Sequence, residues 1–159
     1  MAKRRINARD MIVEVEDDTA DTWLPVENLQ TITVNPGENE ETVDVTDNDS
    51  EGAYEQEIMQ RGASLALEGL LMKDDSTGAL PPGRARVEEM AGEDKLGADS
   101  LGRIRFRHPA DTNWRIWTGT FSLGEQGGAT NDKATWSATI TKSGKTTTAA
   151  VSGGGGGGV

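Results

Sequence analysis

Six stretches of this 159-residue chain alternate apolar and polar residues at every second position. They centre on Val13, Ile32, Val43, Leu65, Ile104 and Ala138. A period of two residues is that of a β-strand, in which successive side chains point to opposite faces. Each stretch predicts a strand with one face in a core and one face in water or against a partner. The chain is therefore predicted to be mainly β.

A further stretch, residues 114–122, is apolar on both sides. Trp114 and Ile116 fall on one side, and Trp117 and Phe121 fall on the other. A strand of this kind lies at the centre of a sandwich or is covered by a neighbouring subunit. Trp117 is therefore a candidate residue for a subunit interface.

One segment has the period of a helix instead. Pro82 suits a first helical turn, and Val87, Met90 and Ala91 share one face at helical spacing. We expect this helix near residues 82–91, packed on the side of a sheet. The predicted fold is a β-sandwich or open barrel of about seven to nine strands with one flanking α-helix.

The ends of the chain differ in composition from its middle. Residues 1–10 form a basic arm, and residues 152–159 are almost entirely glycine, which is typical of a flexible tail. The β domain is predicted between them, over residues 11–151. Within it, residues 46–58 are acidic and poor in apolar side chains. We expect a long loop there, and such loops are usually functional or disordered.

The formal net charge is −11, and it is unevenly distributed. No lysine or arginine occurs between Asp10 and Gln60, where acidic residues are frequent. An acidic surface repels nucleic acid, although acidity can also serve solubility alone. Arg103, Arg105 and Arg107 form a basic stripe on one predicted strand. The stripe pairs either with acidic residues of a neighbouring copy or with acidic residues of the same subunit.

The residue types that carry catalytic or metal chemistry are scarce. The chain has no cysteine and a single histidine, His108, so a zinc site or a thiol nucleophile is not expected. Asp47, Asp49 and Glu51 match the first ligand positions of a calcium-binding loop, but Ile58 stands where the final glutamate is required. We predict no catalytic residue, no metal site and no cofactor, and hence no enzyme.

No apolar run approaches the length of a membrane span, and no apolar stretch follows the basic start. We therefore expect no membrane partner and no signal peptide. The absence of cysteine favours a reducing compartment. These observations predict a soluble protein that is made in a cytoplasm.

Several short sequence pieces follow one another in an order that is familiar from one protein family. They are residues 23–26, 29–34, 38–47, 52–55, 59–65, 105–109, 114–119 and 127–136. The pieces include Trp114-Arg-Ile-Trp-Thr-Gly and Met59-Gln-Arg-Gly-Ala-Ser-Leu. Taken together, over residues 7–144, they resemble the tail tube (major tail) proteins of long-tailed bacteriophages. The glycine-rich end is not part of the resemblance.

The resemblance implies both a fold and a function. Members of the family have a β-sandwich or open barrel with a flanking helix, and rings of subunits, commonly hexamers, stack into a hollow tube. The strands of all subunits line the bore, and a long loop reaches the adjacent ring. The implied partners are further copies of the chain, a tape measure protein, and tail terminator and tip proteins. DNA passes through without specific binding, and the implied location is the virion tail, assembled in the cytoplasm of a host bacterium.

The resemblance and the charge pattern together give three sets of candidate residues. The inter-ring loop candidates are Asp47, Asp49, Glu51 and Tyr54. The candidates for the lumen or a ring junction are Glu41, Asp44, Glu55 and Glu57, because a negative bore keeps DNA phosphates from sticking. The subunit-interface candidates are Lys3, Arg4, Arg5, Arg103, Arg105, Arg107 and Trp117, and the basic arm is expected to contact acidic surfaces of the next ring.

Two other functions fit the same sequence. The first is the inner tube of a contractile tail or of a phage-derived injection device. The second is an immunoglobulin-like recognition module on a virion surface, in which Trp114 and Trp117 serve as platforms for sugars. A hydrolase that uses a pair of acidic residues finds no support in a distinctive site.

Overall fold

The computed structural model describes residues 2–151, which form ten β-strands and one α-helix. The strands are β1 (Ile12–Glu16), β2 (Trp23–Pro25), β3 (Leu29–Asn35), β4 (Glu41–Asp44), β5 (Gln56–Gln60), β6 (Ser64–Leu70), β7 (Leu101–Arg107), β8 (Asn113–Leu123), β9 (Thr135–Lys142) and β10 (Thr147–Ala150). The helix α1 spans Pro82–Met90, and single 3-10 turns occupy Ala8–Asp10, Asn48–Ser50 and Gly97–Ser100. The predicted mainly β class with one flanking helix is confirmed. The predicted tail, residues 152–159, lies outside the described residues.

Eight of the strands form one antiparallel sheet in the order β2-β1-β7-β8-β9-β6-β3, with β10 also paired to β8. The long strand β8 connects the two halves of this sheet. Its first part pairs with β10, and its last part, from Gly119 onward, pairs with β9. Only glycine fits at position 119, where the pairing of β8 with β9 begins, because a Cβ there would lie 2.4 Å from the carbonyl oxygen of Thr141.

One core receives side chains from both halves of the sheet, so the sheet folds over on itself as a sandwich. Val15 and Ile104 come from one half, and Leu65 and Ile140 come from the other. Trp136 is the largest side chain that is fully buried. Burial of each such side chain stabilises the fold by about 1.5–3 kcal/mol relative to its exposure.

Helix α1 covers one side of this core. Its buried residues Val87 and Met90 face the core, and the helix packs against β1, β2 and β8. Gly83 allows the close approach to β2, since a Cβ there would lie 2.0 Å from the carbonyl oxygen of Pro25. Proline at the start and the apolar spacing explain why the sequence predicted this helix correctly.

Strand β8, which is apolar on both sides, has its apolar side chains Trp114, Ile116, Trp117 and Phe121 buried within its own chain. Trp117 is 3% exposed and packs edge-on against Phe106, with ring centroids 4.9 Å apart. The prediction that Trp117 belongs to a subunit interface is therefore wrong. The folded-over sheet buries Trp117 in the core, while Trp114 and Ile116 are buried on the opposite face.

The segment predicted as a loop over residues 46–58 is shorter than expected, because β5 begins at Gln56. Strands β4 and β5 pair only with each other and form a separate two-stranded sheet within residues 2–151. Every residue of both strands is exposed. The predicted strand around Val43 exists, but it has no face in the core, contrary to the expectation from its alternation.

Candidate subunit interfaces

The β4–β5 hairpin (residues 41–60) carries an unusual amount of exposed apolar surface. Thr42 lies opposite Ile58, and Val43 lies opposite Glu57, so both faces of the hairpin carry an apolar side chain. Met59 and Tyr54 are each 67% exposed. Clustered apolar side chains on a surface mark sites of interaction with other proteins.

The tip of the hairpin (residues 45–55) is ordered by its own hydrogen bonds. The carboxylate of Asp47 accepts from the backbone N–H of Asp49 at 2.9 Å, and Ser50 Oγ accepts from the backbone N–H of Asp47 at 3.1 Å. Across the tip, Thr46 Oγ1 accepts from the backbone N–H of Glu55 at 2.9 Å. The tip is therefore a shaped projection that a partner can recognise.

The inter-ring candidates all lie in this tip, but they differ in role. Asp47 caps the 3-10 turn Asn48–Ser50, and its carboxylate forms its hydrogen bonds within the tip. Asp49, Glu51 and Tyr54 are exposed, and the hydroxyl of Tyr54 donates to Gln56 Oε1 at 3.1 Å. The contact of these residues with an adjacent ring stays a prediction.

The lumen candidates lie on the same hairpin but not on one face. Glu57 shares a face with Val43, whereas Asp44 lies opposite Gln56 on the other face. The pKa of Asp44 is lowered because the side chain and the backbone N–H of Thr46 hydrogen-bond to its carboxylate. Glu41 and Glu55 are also exposed. The hairpin therefore presents negative charge on both of its faces.

The basic stripe pairs within its own subunit. Arg103 Nη1 lies 2.6 Å from Glu16 Oε2, and Arg105 Nε donates to Glu14 Oε1 at 2.7 Å. Both glutamates belong to β1, which neighbours β7 in the sheet. Of the two pairings that the sequence left open, the one within the subunit is observed. Arg107 instead donates to the carbonyl oxygens of the two residues that follow it, at 3.5 and 3.4 Å.

Trp23 and Trp114 lie against the arginines of the basic stripe, and no sequence pattern indicated these contacts. The two tryptophans and the three arginines together are named the outer arginine cluster. The guanidinium carbon of Arg105 lies 4.4 Å from the ring centroid of Trp23 and 4.1 Å from that of Trp114. The guanidinium carbon of Arg107 also lies over Trp114, 4.8 Å from its ring centroid. Arginine over an indole face is a favourable cation–π contact. The cluster stabilises the outer face of the β1–β7 pair.

Replacement of Arg105 by alanine should destabilise the folded subunit by about 2–3 kcal/mol. The change removes the cation between the two indoles and leaves the half-buried Glu14 without its charge partner. Arg115→Ala is the matched control, because within residues 2–151 this exposed arginine contacts a single ring, that of Phe106, at 4.6 Å. Urea unfolding of both variants measures the difference. Equal losses for the two variants would contradict the structural role of Arg105.

The basic arm leads into the 3-10 turn Ala8–Asp10, which lies beside β3. Lys3, Arg4 and Arg5 are exposed, and none of them takes part in an ion pair among residues 2–151. Their charges remain available to a partner. Their place in a subunit interface stays a prediction.

Other kinds of site receive little support from the described chain. Over residues 2–151, no group of three His, Cys, Asp or Glu side chains is arranged to hold a metal ion. No helix of that part of the chain is long and apolar enough to cross a membrane. Trp114 and Trp117 are both buried, so they cannot serve as exposed sugar platforms in a recognition module. The exposed hairpin is the most distinctive candidate site.

No protein-family model matches the chain, and no curated protein matches it. Among solved structures, the fold is similar to a chain in the tail of an empty gene transfer agent (GTA) particle, computed with helical refinement and C6 symmetry. The TM-score is 0.64 at 21% identity, and the match covers 92% of this chain and 100% of that chain. A chain in the virion of a native GTA particle gives a TM-score of 0.62 at 18% identity, with the same coverage. The resemblance to phage tail proteins is therefore confirmed at the level of the fold, which this chain shares with a component of phage-like GTA tails.

Proposed function

We propose that this chain is the structural, non-enzymatic subunit of a phage-type tail tube, in which rings of identical copies stack into a hollow tube for genome passage. Its partners are other copies of itself, with a tape measure protein inside the tube and terminator and tip proteins at its ends. The complete tail belongs to a virion that is assembled in the cytoplasm of a host bacterium. DNA passes through the tube without specific binding.

The β4–β5 hairpin is the observation that carries this proposal. A two-stranded hairpin is at best marginally stable in water, and three or more strands or a packed face are needed for independent stability. Within residues 2–151 this hairpin has no third strand and no buried face. Its side chains Val43, Ile58 and Met59 are nevertheless apolar and exposed. A second copy that covers these side chains supplies the missing packing.

The edges of the main sheet support self-assembly as well. Strands β2, β3 and β10 each pair along one edge only within residues 2–151. Open strand edges favour pairing with other chains, and identical subunits that meet head to tail close into rings or extend into filaments. Rings and stacks of rings are the two products that a tube requires.

The proposed ring has six subunits, and its bore is acidic. Six-fold symmetry is supported by the similar GTA tail, which was computed with C6 symmetry. The acidic bore is supported by the residues between Asp10 and Gln60, which contain no lysine or arginine. A bore lined by this part of the chain repels phosphate and lets DNA move through.

Electron microscopy of the purified chain over a wide range of concentrations tests the function. We expect rings at low concentration and hollow tubes of stacked rings at high concentration. Sedimentation of the same samples should show a mass that grows with concentration. A chain that stays monomeric at every concentration would overturn the proposal.

A further inference from the structure

A groove between two lysines lies beside the end of β6 and the start of β9. We name it the two-lysine groove. It has a volume of about 390 Å³ and is lined by Leu70, Leu71, Met72, Lys73, Lys133 and Ala134. Its floor is apolar, and Met72 is 46% exposed. An apolar floor with few polar groups at its rim is the usual form of a binding recess.

The two-lysine groove and the hairpin lie at opposite ends of the same strands. The hairpin follows Asn35 of β3 and precedes Ser64 of β6, and these two residues are paired. The groove begins at Leu70, the last residue of β6, which is paired with Thr135 of β9. The seven residues of β6 separate the two features by about 20 Å at the usual rise of a strand.

A projection at one end and a recess at the other end define a head-to-tail contact. When a second copy is displaced along the strand direction, its hairpin approaches the groove of the first copy. The same contact then repeats without limit, because each copy still offers one free hairpin and one free groove. The placement thus suits axial growth of a stack.

The charges of the two surfaces are complementary. Asp49, Glu51 and Glu55 are exposed in the hairpin tip, which contains no basic residue. Lys73 and Lys133 flank the groove, and neither forms an ion pair within residues 2–151. No acidic residue lines this groove. Complementary charge fixes the register of a contact and speeds the encounter of the partners.

A neighbouring recess shows why the contact belongs at the two-lysine groove. That recess shares Met72 and Lys73 but also includes Asp74. The carboxylate of Asp74 accepts from the backbone N–H groups of Ser76 and Thr77 at 2.8 and 2.9 Å, and these bonds lower its pKa. The neighbouring recess therefore has a carboxylate in its lining, whereas the lining of the two-lysine groove has none.

We propose that the two-lysine groove receives the hairpin tip of the next copy of this chain. Tyr54, which is 67% exposed, lies on the Leu70–Met72 floor, and the acidic residues of the tip lie beside Lys73 and Lys133. This inference rests on the proposed function, because it identifies the receiving surface of the contact between rings. It assigns the two groove lysines to binding, whereas the basic arm at residues 2–9 is left for other contacts.

Introduced cysteines test the contact directly, because the chain has no cysteine of its own. The Tyr54→Cys and Met72→Cys changes are made in one chain, and the assembled sample is oxidised mildly. We expect a ladder of covalent oligomers that extends beyond the dimer on a non-reducing gel. The matched control pairs Tyr54→Cys with Lys145→Cys, at an exposed lysine outside the groove, and should give no species beyond the dimer. A ladder from the control pair and none from the Met72 pair would overturn the groove assignment.

Charge exchange provides the second test. Lys73→Glu with Lys133→Glu should raise the protein concentration needed for tubes at least about tenfold. Glu51→Lys with Glu55→Lys should do the same, and the four changes combined should restore assembly. Lys95→Glu with Lys145→Glu is the control of equal charge change, and it should leave tube formation unaltered.

The outcomes separate the groove assignment from the tube function. If the unmodified chain forms no tubes, the proposed function fails. If the unmodified chain forms tubes and the doubly reversed groove variant forms them equally well, the groove assignment fails and the tube function stands.

Discussion

Deletion of residues 47–52 should prevent tube formation at concentrations at which the unmodified chain assembles, while the β domain stays folded. The deletion removes the 3-10 turn and its cap, which together give the hairpin tip its shape. No residue of the tip belongs to the hydrophobic core, so the melting temperature should hardly change. The concentration needed for assembly should rise on the order of 100-fold, the factor expected when a contact of a few kcal/mol is lost. Electron microscopy and thermal unfolding measure the two effects.

A point variant gives the same test without shortening the chain. Tyr54→Ser removes the ring from the tip, which is 67% exposed, and Leu96→Ser removes an apolar side chain elsewhere that is 74% exposed. Tubes should weaken in the first variant and persist in the second. Normal tubes from the deletion variant would show that the hairpin tip does not connect rings.

Replacement of Trp136 by alanine should cost about 3–5 kcal/mol of folding stability. Trp136 is 1% exposed and is the largest fully buried side chain, so its removal leaves a cavity between the two halves of the sheet. It also removes the indole over which the guanidinium of the buried Arg84 lies, at 4.5 Å from the ring centroid. A domain of this size has a total stability of about 5–15 kcal/mol, so a large share is lost.

Arg84→Met is the matched change on the other side of that contact. Burial lowers the pKa of Arg84, while Glu88 acts in the opposite direction from 3.5 Å. The Nε atom of Arg84 is buried without a hydrogen-bond partner among the described residues. Replacement of a poorly paired buried ion by an apolar side chain is often neutral or stabilising. Urea unfolding should therefore separate the two variants widely, and similar losses would contradict this account of the contact.

The sequence predicted those elements whose side chains face the core. The alternation around Val13, Ile104 and Ala138 marks strands β1, β7 and β9, because burial on one face selects apolar residues at every second position. Strand β5 lacks this pattern, since both of its faces are exposed and backbone pairing with β4 alone defines it. Strand β2 has three residues, which is too short to show a period.

The arginine contacts on the outer face of the sheet were predictable in part, for a related reason. The alternation around Phe106 correctly placed Arg103 and Arg105 on one strand face, away from the core. Their partners were not predictable, because the adjacency of β1 and β7 joins residues about ninety positions apart in the chain. The burial of Trp117 follows from the packing of strands from both halves of the sheet around one core, which no local pattern reveals.

The self-capped tip has a consequence for the kinetics of growth. The bonds between Asp47 and Ser50 and between Thr46 and Glu55 hold the tip in one shape before any partner arrives. Little conformational entropy within the tip itself is then lost on docking, so a larger share of the contact energy is expressed as affinity. A rigid tip also needs no search for its bound shape, and the rate at which new subunits add is set by diffusion and orientation.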